Sequence, residues 1–134
     1  MTPRGIRNNN PGNLRIGNNW RGELPPAERT DRQFEQFVSL EYGYRALLIT
    51  LRTYITKHKK TTVRTMISRW APSHENDTES YIRQVIDYSG LPSGRVLRAT
   101  DREELCRIAY AISRVECGRY VGDMELIRRA WDMI

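Results

Sequence analysis

Sulfur and imidazole are scarce in this chain: two cysteines, Cys106 and Cys117, and two histidines, His58 and His74, among 134 residues. None stands at the close spacing that a structural zinc site needs, so no metal is expected, and no motif calls for a cofactor. The two cysteines fall on what reads as one helix, separated by roughly 16 Å along its axis, beyond the reach of a disulfide. No apolar run approaches the roughly 18–20 residues that cross a bilayer, and Met1-Thr2-Pro3-Arg4 is not followed by the apolar stretch of a secretory signal. Neither a membrane span nor a signal peptide is expected. Negative charge is also in short supply. With 16 Asp and Glu against 22 Lys and Arg the net charge is +6, which makes polyanions natural partners: nucleic acid, a phospholipid surface or an anionic cell wall. The basic residues are spread along the chain, and no helix-turn-helix or aromatic RNA-binding motif stands out, which argues against nucleic acid.

What remains is an ordinary globular composition, 39% hydrophobic and 28% charged, of a length that fits one domain over residues 1–134. Residues 1–38 are rich in Asn, Gly, Pro and Arg, with alternation confined to Phe34-Glu35-Gln36-Phe37-Val38. They predict loops and a small β-hairpin. From residue 39 onward the period becomes helical. Tyr44, Leu47, Leu48, Leu51 and Ile55 mark one face of a helix that ends in Lys57-His58-Lys59-Lys60, a solvated charge run. Thr62 caps a short helix carrying Val63, Met66, Ile67 and Trp70, which Pro72 stops; Trp70 completes its apolar face and reads as a packing residue. Asn76 with Glu79, and Thr100 with Glu103, give two capping-box patterns, closed by Gly90 and Gly118, and Asp123 caps a last helix with Leu126, Ile127, Ala130 and Trp131. The fold class is therefore mainly α, with α+β character: about five helices and one N-terminal hairpin, without internal repeats.

Glu116 stands out by position. It follows Ile112 by four residues and Leu105 by eleven, on the stripe that faces the core, and in the last turn beside the negative end of the helix dipole. Both features disfavour a bare carboxylate, which is the condition for a general acid near neutral pH. The plainer reading has Glu116 at a frayed helix end, turned to solvent or paired with Arg119.

The stretch Ala109-Tyr110-Ala111-Ile112-Ser113-Arg114-Val115-Glu116-Cys117-Gly118 resembles the catalytic helix of lysozyme-like enzymes and lytic transglycosylases, in which an apolar helix ends in the acid Glu. Arg7-Asn8-Asn9-Asn10-Pro11-Gly12-Asn13-Leu14-Arg15, with Trp20-Arg21-Gly22 and Phe34–Val38, resembles the segment that follows the acid in bacterial N-acetylglucosaminidases. The order of the two is reversed here, as a circular permutation would produce; compact domains with neighbouring termini allow one. The Gly5–Arg15 segment, with Trp70-Ala71-Pro72, Glu75-Asn76, Thr78 and Tyr81, is also similar to phage virion-associated lysozyme-like proteins.

The resemblance implies a lysozyme-like domain that cleaves the glycan strands of peptidoglycan, as a muramidase or a lytic transglycosylase, with Glu116 as catalytic acid and no cofactor. Asn10, Asn13 and Trp20 become candidates for sugar binding, because amides bond hydroxyl and N-acetyl groups and an indole covers a pyranose face; turn chemistry explains the asparagines as well. Tyr81, expected with its ring in the core and its hydroxyl toward the cleft, and the loop aromatic Tyr120 join them. A hydrolase needs a second carboxylate at a set distance, for which Glu23, Asp31 and Glu35 are candidates, whereas a transglycosylase manages with one Glu; without the permutation, Glu75 is the alternative acid. The partners implied are peptidoglycan and other virion proteins, and the location is a phage virion, or the bacterial cytoplasm before release, with action at the wall. A non-catalytic virion structural or glycan-binding module of the same fold is the alternative.

Overall fold

The computed structural model describes all residues, Met1–Ile134, and is mainly helical. Six α-helices follow one another: α1 (Arg4–Arg7), α2 (Leu40–Thr56), α3 (Val63–Trp70), α4 (Thr78–Ser89), α5 (Arg102–Cys117) and α6 (Met124–Asp132). The last five are the helices that the periodicity predicts. Their apolar stripes meet in one core of 22 buried residues, in which Leu47, Leu48, Leu51, Val63, Ile67, Val85, Leu105, Ile108 and Ile112 are fully enclosed. The helix α5 runs through the middle, packed against α4, α6, α2 and α1.

The helix starts differ in detail from the sequence patterns. Thr62 caps α3 in a capping box, answered by Thr65, and Asp123 caps α6 through the Leu126 amide, as expected. The cap of α4 is Asp77, not Asn76: its carboxylate accepts from the Ser80 amide, one residue later than the Asn76–Glu79 pattern, and Glu79 pairs with Arg64 instead. At α5 the cap position is Asp101, not Thr100, and Glu103 forms a two-pronged pair with Arg128 on α6. Gly90 and Gly118 end α4 and α5 with φ of 72° and 67°, the left-handed conformation that glycine enters without strain.

The predicted N-terminal hairpin is not formed. The chain is held there by two isolated antiparallel bridges, Arg15 with Phe34 and Glu23 with Phe37, and a 3-10 turn at Pro26–Glu28. The reason lies in the polar side chains, which take the backbone groups a ladder would use. Asn10 donates to the Leu14 and Glu35 carbonyls and accepts from the Leu14 amide, while Gln36 Oε1 accepts from the amides of Thr30 and Asp31. The alternation also misleads about sides: Glu35 and Gln36 are buried, and Val38 is exposed.

This loop assembly docks on the helices by close backbone approach. A Cβ on Gly43 of α2 would lie 1.9 Å from the Asn9 carbonyl oxygen, and one on Gly5 of α1 would lie 2.8 Å from Cys117 Sγ at the end of α5. Cys106 and Cys117 are both buried free thiols. No helix is long and apolar enough to cross a membrane.

Candidate active site

The end of α5 brings Glu116 against the N-terminal loops. Ile112, one turn earlier, is enclosed in the core, whereas Glu116 is half-buried and opens onto a cleft of about 670 Å³. One wall is N-terminal and includes Gly12, Asn13, Leu14, Arg15 and Phe34; the other is formed by Tyr54 of α2, Trp70 of α3, and Glu75 and Asn76 of the loop between α3 and α4. A ligand seated there would touch both halves of the chain.

Both oxygens of Glu116 accept hydrogen bonds. Asn13, held at φ 49°, donates from Nδ2 to Oε1 at 3.1 Å, and the Tyr81 hydroxyl donates to Oε2 at 2.7 Å. Asparagine tolerates the left-handed conformation better than most residues, which lets the chain turn there while the amide faces the carboxylate. Tyr81 is buried in the first turn of α4. Burial, and then the adjacent Glu116 carboxylate, push its phenol well above the ordinary range, so it stays a donor at any working pH. Trp70 Nε1 in turn donates to the Tyr81 oxygen at 2.9 Å. Arg119, the alternative partner for Glu116, bonds the Met1 carbonyl instead, which also places the amino terminus beside the end of α5.

The other sugar-binding candidates lie elsewhere. Asn10 is fully buried with its amide spent on backbone groups, so it holds the loop and is closed to a ligand. Trp20 does not line the cleft, and its indole nitrogen is buried without an acceptor. Tyr120 is exposed, set edge-on to Tyr110 with ring centroids 6.1 Å apart, also away from the cleft lining.

None of the three candidate second carboxylates lines the cleft. Asp31 accepts from Arg4 at 2.6 and 2.7 Å, from Asn8, and from the amides of Gln33 and Phe34; the Arg4 guanidinium above all holds its carboxyl far below the usual range. Glu23 pairs with Arg29 at 2.7 Å and caps the Trp20 amide. Glu35 is fully enclosed with both carboxyl oxygens lacking a hydrogen-bond partner. Burial, and then Glu23, push it up to about 7. The second carboxylate in the cleft is Glu75, on the exposed loop between α3 and α4, 3.6 Å from the His74 ring.

The sequence reading missed Trp70, Tyr54 and Asn76 as cleft residues, whereas Arg15 and Phe34 belong to the N-terminal segment that the resemblance implies as a cleft wall. Trp70 is legible as apolar, but an i, i+3, i+4 stripe does not say that its nitrogen faces a tyrosine on the next helix.

No protein-family model matches the chain. Over 98 residues it is 41% identical to a protein named Protein P5 of Pseudoalteromonas phage PM2, a match covering 70% of this chain and 60% of that relative. The chain is thus similar to a phage protein and spans less than two thirds of its length.

Proposed function

We propose that the chain is a lysozyme-like, circularly permuted domain that cleaves the glycan strands of bacterial peptidoglycan, with Glu116 as general acid and base. The observation that carries this reading is the Glu116 carboxyl at the junction of the two cleft walls, held through both oxygens by Asn13 and Tyr81. Reaching that junction from residues 13 and 116 is what joining the usual acid helix to its usual sequel in reversed order would achieve.

The positions of Glu23 and Asp31 in ion pairs, and of Glu35 in a closed site away from the cleft, favour the lytic transglycosylase chemistry, which needs one carboxyl group. The Glu116 proton passes to the glycosidic oxygen as the bond from the muramic acid C1 breaks. The carboxylate then takes the proton of the muramic 6-hydroxyl, whose oxygen attacks C1 and closes a 1,6-anhydro ring. No water is consumed, and Glu116 ends protonated again. The net positive charge would hold the enzyme near an anionic wall, and similarity to a phage protein supports a virion as its setting.

Incubation with purified sacculi and mass analysis of the released fragments tests the reading. Wild type should release anhydro-muramic ends, and Glu116→Gln should lower release at least a hundredfold with an unchanged far-ultraviolet circular dichroism spectrum. Fragments with reducing muramic ends would assign the hydrolase version and turn attention to Glu75. Binding to sacculi without any release by wild type would assign a glycan-binding module instead.

A further inference from the structure

We propose that Trp70 is a positioning residue for Glu116, acting through Tyr81: its indole N–H locks the phenolic proton of Tyr81 onto the carboxylate. This rests on the reading of Glu116 as the acid. An indole nitrogen donates and cannot accept, so the 2.9 Å contact with Tyr81 runs in one direction only, from Trp70 to the phenolic oxygen. A tyrosine hydroxyl has a single proton. With the indole occupying its accepting side, that proton goes to Glu116 Oε2 at 2.7 Å.

The indole is itself fixed from several sides. A Cβ on Gly12 would sit 3.2 Å from Trp70 Cη2 and 3.1 Å from a Leu47 methyl, so glycine at position 12 leaves the room the ring fills. Tyr54 packs on it, with ring centroids 6.4 Å apart and planes at 55°. Thr78 bonds the Ala71 carbonyl at 2.6 Å, tying the end of α3 to the start of α4, so the helices that carry Trp70 and Tyr81 are joined at the point where the two side chains meet.

The consequence is mechanistic. Glu116 must present the same oxygen to the leaving group and later to the attacking hydroxyl. A phenol free to rotate would let the carboxylate swing, and a bound sugar hydroxyl would compete for the Tyr81 proton.

The test compares wild type with Trp70→Phe, with Tyr81→Phe, with the double variant, and with benzothienylalanine at position 70, which keeps the bicyclic ring and lacks the N–H. In sacculus cleavage the benzothienyl protein should lose roughly five- to tenfold in kcat, the size of one hydrogen bond, with little change in KM. Tyr81→Phe should do the same, and the double variant should lose little more than either single one. An unchanged kcat in the benzothienyl protein, or additive losses, would overturn the proposal.

Nuclear magnetic resonance of the indole N–H gives a readout independent of activity. The Trp70 signal should be protected from solvent exchange and should shift in both Tyr81→Phe and Glu116→Gln. A signal that responds to neither substitution overturns the relay even if the protein cleaves walls. A signal that responds to both, in a protein that cleaves none, leaves the relay standing and removes the enzymatic reading.

Discussion

The two glutamates that matter most, Glu116 and Glu35, differ in what surrounds them. Glu116 has a donor on each oxygen and a cleft in front of it, whereas Glu35 is sealed beneath the N-terminal loops with no hydrogen-bond donor, with Glu23 as a neighbour and the Arg29 guanidinium 3.9 Å away. Burial, and then the Glu23 carboxylate, favour the neutral acid and outweigh the Arg29 guanidinium, which is why the Glu35 carboxyl is pushed up to about 7 from an ordinary 4.5. A raised folded-state value fixes the sign: the stabilisation is complete below the unfolded value and is lost as pH rises through about 7. The melting temperature of wild type should therefore fall between roughly pH 4.5 and pH 7, by an amount equivalent to about 2 kcal/mol, and level off above that. Glu35→Gln, neutral at every pH, should flatten that slope. A slope that survives the substitution would place the titrating group elsewhere. Neither environment is written in the local sequence: Glu116 meets Asn13 and Tyr81 from distant parts of the chain, and Glu35 meets Glu23 and Arg29 only through the way the N-terminal loops fold back on themselves.

At the scale of elements, the five long helices follow from their apolar spacing and stop signals, since each needs only its own residues to define a buried stripe and an end. Tyr44, Leu47, Leu48 and Leu51, read as one face, are all fully enclosed. The N-terminal segment resists the same treatment. Its Asn, Asp and Gln side chains bond backbone amides and carbonyls, so the loops have a defined shape without a repeating pattern that alternation could reveal. The joint between these two parts is Gly43, whose missing Cβ admits the Asn9 carbonyl against α2. Gly43→Ala should destabilise the protein by about 2–3 kcal/mol in urea unfolding, because backbone must give way on both sides. It should also weaken activity by moving Asn13 from Glu116; a stability within about 0.5 kcal/mol of wild type would contradict the close approach.

For the whole molecule, the decisive fact is that residues 13 and 116 share a hydrogen bond across the chain, and that Arg119 reaches the Met1 carbonyl. The charge of +6 is likewise a property of the whole. Binding of Glu116→Gln to sacculi should fall several-fold between roughly 50 and 300 mM salt, as screening shortens the reach of surface charge; salt-independent sedimentation would assign retention to the cleft alone. The sequence by itself determined that the chain has one core, that its C-terminal two thirds are helical, and that one helix ends in a glutamate on an apolar stripe. Those features depend on composition and on neighbours within a turn or two. Only the tertiary structure decided which asparagine faces that glutamate, that Trp70 and Tyr81 stand behind it, and that three other carboxylates lie away from the cleft. Side chains brought together from opposite ends of a folded polypeptide leave no periodic trace, because their meeting is set by how helices and loops pack and not by their spacing along the chain.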